Sequence, residues 1–200
     1  MIKQLPASRR AALMEMGPDE PLRVHTYQHV DAWSAAVERG FLTGDHGHVD
    51  DFLGDWGKVP YEWMRSQMAE RMPDFSGDLP VWAWLKRHNP RSTDWIRDSV
   101  RITAIVPRRR VLLSDYDLWH LPLNNGAICL TREEDAAWSH PHGDPIMKTT
   151  WHHCLEIRDM PWHDRDWIAP PTLVQACVDR IRLDEVVSVR MPGRRRKKRA

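Results

Sequence analysis

Asp115, Asp117 and His120 stand within six residues of one another in VLLSDYDLWHLPLNNG, followed closely by Asn124 and Asn125. Two carboxylates beside an imidazole can divide general-acid and general-base roles when their surroundings separate their pKa values. If SDYDLWH is extended, Asp115 and Asp117 share one face and Trp119 joins them, whereas a helix scatters them. The same residue types have a purely structural use. Asp115 or Asp117 can cap a helical turn, and Asn124, Asn125 and Gly126 can form a tight turn. Upstream, LPVWAWLKR contributes Trp82 and Trp84 to a chain with eleven Trp, three Tyr and three Phe. An indole offers a large apolar face and one N–H that needs a partner, so this clustering fits either a lined pocket or a tryptophan-rich core.

Other constellations are weaker. His46, His48, His140, His142, His152, His153, Cys154 and His163 are ligand types suited to zinc. Their spacing contains no HExxH, no CxxC and no paired Cys/His framework, so no metal centre is expected. GxxxxGK[ST], GxGxxG and GxSxG are absent too, which argues against phosphate-loop and serine-hydrolase chemistry. Cys129, Cys154 and Cys177 are three in number, far apart in sequence and read as reduced thiols. Met1–Leu22 holds Arg9, Arg10, Glu15, Asp19 and Glu20 with no uninterrupted apolar run, so a cytoplasmic protein without a membrane segment is expected.

Charge is unevenly placed. The formal net charge is +1, yet seven basic residues and no acidic one occur from Arg190 onward; without those seven, 22 basic residues face 28 acidic ones, a formal −6. Arg194, Arg195, Arg196, Lys197, Lys198 and Arg199 form a run that like-charge repulsion keeps from ordering. Such a run can contact nucleic-acid phosphates by counterion release, or simply be solvated.

The elements that must position these residues can be read from periodicity. A short helix around ALMEM ends at GPDEP. LRVHTYQHV (Leu22–Val30) alternates as a strand, with Asp31 placed to cap the helix AWSAAVERG that Gly40 ends. Phe41–Val59 reads as mainly loop, with one helical turn at HVDDFL, and Pro60 as the first residue of an amphipathic helix whose Tyr61, Met64, Met68 and Met72 recur at helical spacing. Its methionines read as core filler. Leu79–Leu85, Val100–Val106 and Val111–Asp115 read as strands, and PRRR as an exposed turn. Thr131 begins a capping box for a helix through Trp138, and a further helix is expected over Lys148–Ile157. Thr172–Arg182 and Val186–Met191 read as two strands joined by LDE. The irregular order points to an α+β fold with a mixed or antiparallel sheet flanked by short helices. We read 1–21 as an N-terminal extension, 22–191 as one globular domain and 192–200 as a basic tail, a division that suits 200 residues.

RVHTYQHVDAWSAAVERGFL, YEWMRSQMAERM, LPVWAWL, VLLSDYDLWHLPLNN and TLVQACVDRIRLDEVVSVR together resemble domain-of-unknown-function family 3841 of bacterial proteins, from Leu22 to about Arg190. That resemblance implies no activity. A more distant similarity is to the ADP-ribosyltransferase-like fold, whose chains often open with a strand bearing His or Arg before a helix, as His25-Thr26 does here. Those chains often carry Gln/Glu-x-Glu on a late strand. TLVQACV places Gln175 at its first position and Cys177 where the catalytic glutamate would orient a ribose hydroxyl and stabilise an oxocarbenium-like centre. The resemblance therefore implies a nucleotide or NAD-type ligand, with classical transfer chemistry lacking its carboxylate. The pocket it implies draws on His25, Thr26, Gln28, Arg71 (as a phosphate partner), Trp82, Trp84, the Asp115–Asn125 segment and Gln175. The competing expectation is a non-enzymatic module whose acidic, Trp-rich body binds protein while the basic tail reaches nucleic acid.

Overall fold

Alternation along Pro21–His29 (β1) decides the centre of the molecule. Leu22, Val24 and Thr26 point to one side and are buried, while Arg23, His25 and Tyr27 point to the other. In the computed structural model, which describes residues 5–87, 98–157, 167 and 173–191, β1 lies between Val81–Trp84 (β3) and Ser99–Pro107 (β4). Val111–Asp115 (β5), Val174–Val178 (β6) and Val186–Arg190 (β8) complete a six-stranded sheet in the order β5-β6-β3-β1-β4-β8, antiparallel throughout. Phe41–Leu42 (β2) and Ile181–Arg182 (β7) form a separate antiparallel pair. The architecture is α+β, as the sequence predicts.

One face of the sheet is apolar. Val24, Ala83, Ile102, Ala104, Leu113, Ala176 and Val178 pack there with Leu13 of Ala7–Glu15 (α1) and Ala36 of Val30–Arg39 (α2). The other face divides. Leu112, Cys177 and Trp82 pack under Met64, Met68 and Met72 with Leu118, Trp119 and Trp151, the methionine core that helical spacing predicts. Those methionines come from His46–Arg71 (α3) and its C-cap, and Leu118 and Trp119 from Tyr116–Leu123 (α4). Towards β1, β4 and β8 the same face carries polar groups.

Several local expectations need correction. α3 begins at His46, so the predicted loop is helix and Pro60 lies within it; a break at Gly54, whose φ of 59° and ψ of −156° suit only glycine, divides the element. α2 begins at Val30, two residues earlier than expected, so Asp31 lies in its first turn and the cap is the His29 ring, which accepts from the Asp31 N–H at 3.3 Å. Gly40 ends it with φ 92° as predicted. Lys148–Ile157 is not an α-helix but two 3₁₀ turns, Pro145–Thr149 and Trp151–Leu155, preceded by Arg132–Ala137 (α5). Thr172–Arg182 splits because Ile181 and Arg182 pair with β2 rather than with β3. PRRR is no exposed turn either. Arg110 is buried, its fork held at 3.0–3.2 Å from Asp179 Oδ1 and also paired with Glu185. Among the described residues no helix is long and apolar enough to cross a membrane. The run Arg194–Arg199 and His163 lie outside the described residues.

Candidate functional site

Residues directly opposite in antiparallel strands share a face. Starting at β5, Ser114 stands opposite Gln175, Gln175 opposite Trp84, Trp84 opposite His25, His25 opposite Thr103 and Thr103 opposite Ser188. This cross-strand row of polar side chains around one indole spans the whole sheet. Its members bond one another: the Gln175 amide donates to Ser114 Oγ at 3.0 Å, and His25 Nδ1 lies 2.9 Å from Thr103 Oγ1. Gln175, Ser114 and Thr103 are buried, and His25 is only 9% exposed. Buried polar groups hold such fixed positions because an unpaired one is costly.

α4 supplies the rim. The Tyr116 N–H donates to Leu173 O at 2.8 Å, which fixes the start of the helix beside β6. The Tyr116 ring then meets Trp84 at 4.9 Å between centroids and His120 at 4.5 Å. His120 Nδ1 is 2.8 Å from Tyr116 O, so an Nδ1–H there donates backward along the helix and leaves Nε2 as the ring's other polar atom. One register step along from His25 and Thr103, Arg101 stands opposite Arg190. The buried Arg101 Nε has no hydrogen-bond partner among the described residues.

The row unites three of the residues singled out from sequence, His25, Trp84 and Gln175, and brings His120 to its edge. It does not include the rest. Thr26 and Gln28 lie on the opposite face, where the Gln28 amide donates to Thr26 Oγ1 at 2.7 Å and Thr26 donates to Trp82 O at 2.8 Å. Alternation from His25 requires this. Trp82 and Trp119 belong to the aromatic core, 5.0 Å apart and edge-on to Tyr61. Arg71 pairs with the adjacent Glu70 at 2.9 Å.

Asp115 and Asp117 do not share an extended face, because α4 starts between them. Asp115 is its N-cap, accepting from the Asp117 and Leu118 N–H groups at 2.8 and 3.0 Å. Burial pushes its carboxyl up to about 6, against the lowering effect of the Leu118 N–H. Asp117 is exposed in the first turn of α4. Asn124 donates to His120 O at 2.7 Å, and Asn125 closes the turn with φ 51°. Asp115, Asn124 and Asn125 therefore follow the structural use of their residue types.

Cys177 occupies one register step beyond Gln175, wholly buried opposite Trp82 and Leu112, and burial drives its thiol far above the ordinary range. It has no nucleophilic character there. A shallow depression of about 450 Å³ on α3, lined by Lys58, Val59, Glu62, Trp63, Ser66 and Lys148, includes none of the row. The only gathering of three possible metal ligands among the described residues is His152, His153 and Glu156.

Sequence reasoning misses Ser114, Thr103 and Arg101, and reaches Tyr116 only as part of the Asp115–Asn125 segment. The period of two in VRITAIV and VLLSD would have offered the first two, once the strands were placed side by side. Nothing in the sequence gives the register.

A protein-family model described as a domain of unknown function (DUF3841) matches residues 23–163. The match starts within β1 and stops short of β6, β7 and β8, which the sequence resemblance includes. No curated protein and no solved structure matches the chain.

Proposed function

Because the chain belongs to the DUF3841 family, whose description names no activity, we propose from the site alone that the protein binds an NAD-type nucleotide on an ADP-ribosyltransferase-like core. The observation that carries this reading is the row that sets His25 of the first strand and Gln175 of a late strand on either side of Trp84. That is the pairing an opening His strand and a late Gln-x-x strand would need in order to hold one ligand. Each part suits a piece of the nucleotide. The Trp84 and Tyr116 rings offer faces for a base. His25, Gln175, Ser114 and Thr103 offer donors and acceptors for ribose hydroxyls.

Arg101 and Arg190 account for the phosphates. Like charges directly opposite on a sheet repel, and a pyrophosphate between these guanidiniums would relieve that repulsion. The proposed ligand is held without a carboxylate at its reactive centre. Gln175 is neutral and Cys177 is sealed in the core, so recognition, not classical transfer, is the activity we assign.

Titrating the full chain with NAD, ADP-ribose and AMP while following tryptophan fluorescence tests this. Saturable quenching is expected, with His25→Ala and Gln175→Ala weakening binding at least tenfold. Unfolding curves of both variants establish that they are folded. Absence of saturable binding to any of the three, or unchanged affinity in folded variants, would overturn the proposal.

A further inference from the structure

The 3₁₀ turn Trp151–Leu155 presents two adjacent imidazoles, and the chain leaves it at Glu156 with φ −88° and ψ 76°. That departure swings the Glu156 carboxylate back over the turn. His153 Nδ1 lies 3.2 Å from Glu156 Oε2, His152 Nε2 lies 3.8 Å from Glu156 Oε1, and one ligand atom from each residue fits within 4.8 Å of the others. The two rings are 4.0 Å apart. We propose that His152, His153 and Glu156 form a binding site for a divalent metal of the zinc class.

His153 Nδ1 and Glu156 Oε2 are within hydrogen-bond distance of each other, and three observations support an ion among the three side chains. His152 Nδ1 is 2.8 Å from Thr149 O, so an Nδ1–H donates to that carbonyl and Nε2 is the ring nitrogen turned to Glu156. This is how backbone carbonyls orient metal-binding imidazoles, fixing tautomer and ring together. The 3.8 Å between Nε2 and Oε1 is too long for a hydrogen bond. It is close to the spacing of about 3.4 Å between two ligand atoms that each sit about 2.1 Å from a tetrahedral ion. The side chains are also placed for access: His152 is 49% exposed, Glu156 30% and His153 22%. The neighbours Trp151 and Cys154 are fully buried and anchor the turn, with the Trp151 indole N–H on Gly126 O at 2.8 Å.

Two nitrogens and one carboxylate oxygen suit zinc, cobalt, nickel and copper, not magnesium or calcium, which require mostly oxygen ligands. The exposed side leaves a fourth position for water. Cys154 is not a ligand, since its thiol is buried beside Cys177 in the methionine core. The site does not depend on the nucleotide reading, because it uses none of the row's residues.

Calorimetric titration of the metal-free full chain with Zn²⁺, and visible absorption with Co²⁺, tests it. One equivalent is expected to bind, with Cu²⁺ tighter and Mg²⁺ silent. His152→Ala, His153→Ala and Glu156→Gln are each expected to weaken Zn²⁺ binding by tenfold or more, whereas His140→Ala is expected to leave it unchanged, although His140 lies near Asp144. Because the three ligand side chains are partly exposed, the variants should fold, and far-UV circular dichroism checks this. Unchanged Zn²⁺ affinity in the folded ligand variants, loss through His140→Ala, or no stoichiometric Zn²⁺ binding to the parent would each overturn the proposal.

Discussion

Trp82 and Trp84 sit two residues apart on β3, on the same face of the same sheet, and meet different surroundings. Trp82 is opposite Cys177 and packs against Trp119 and Tyr61; Trp84 is opposite Gln175 and His25 and packs against Tyr116. Two residues of strand are about 7 Å. Across that distance the sheet passes from a methionine and tryptophan core to a row of hydrogen-bonded polar groups. The coverage decides which is which: α3 and the first turns of α4 lie over the Trp82 register, while only the Tyr116 and His120 side of α4 reaches the Trp84 register. Residue type alone does not separate a tryptophan set in a polar row from one set in the core. Register does.

The largest effect should come from breaking the core side of that pair. Trp119 is 3% exposed and touches Trp82, Tyr61 and Trp63, so Trp119→Ala should cost about 3–5 kcal/mol in urea unfolding. Trp84→Ala opens a partly exposed position and should cost clearly less, while removing the fluorescence response to nucleotide. Equal losses for the two substitutions would erase the distinction between the registers.

Asp115 sharpens the comparison from the opposite direction. Its folded pKa, about 6, lies above the ordinary 3.8, so the folded state holds the proton more tightly than the unfolded one. The associated stability is complete below about pH 4 and is lost as pH rises through 6. Asp115→Asn keeps an oxygen for the Asp117 and Leu118 N–H groups and removes the buried charge. It should therefore stabilise the protein at pH 7 by on the order of 1–3 kcal/mol, with the gain vanishing towards pH 4. Urea unfolding at the two pH values checks this. A stability loss at pH 7 would show that the charge itself holds the cap, and a loss of nucleotide binding would return Asp115 to the site.

Much of this arrangement is legible in the sequence. Alternation in LRVHTYQHV and VRITAIV, the methionines of YEWMRSQMAERM and the glycine after AWSAAVERG each rest on local rules, and each holds. What is not legible comes from pairing. Gln175 and His25 are 150 positions apart, and only the antiparallel registers of β3 with β1 and β6 place them on either side of Trp84. The same limit explains the errors. Thr26 and Gln28 are attractive by proximity to His25, yet a strand's period of two sends them to the other face. Asp115 and Asp117 look like a carboxylate pair only until α4 starts between them. The buried Arg110 fork with Asp179 and Glu185 is invisible in PRRR, since its partners come from the far end of the chain.

Two threonines give the finest test, because their side chains are chemically identical and both are buried on neighbouring strands of one sheet. Thr26 donates to Trp82 O and accepts from Gln28 on the apolar face; Thr103 bonds the His25 ring on the other. Valine keeps the branched shape and removes the hydroxyl, so each substitution should cost about 1–3 kcal/mol, because it strands the Gln28 amide in one case and the His25 ring nitrogen in the other. Stability will not tell them apart. Ligand affinity should, because a nucleotide on the row meets the hydroxyl of Thr103, and the ring it orients, but is separated from Thr26 by the thickness of the sheet. Thr103→Val is expected to weaken nucleotide binding several-fold and Thr26→Val to leave it unchanged, measured in the same fluorescence titration. If Thr26→Val proves the more damaging, the ligand occupies the opposite face, and the row of His25, Trp84 and Gln175 is a buried polar seam that orders the sheet.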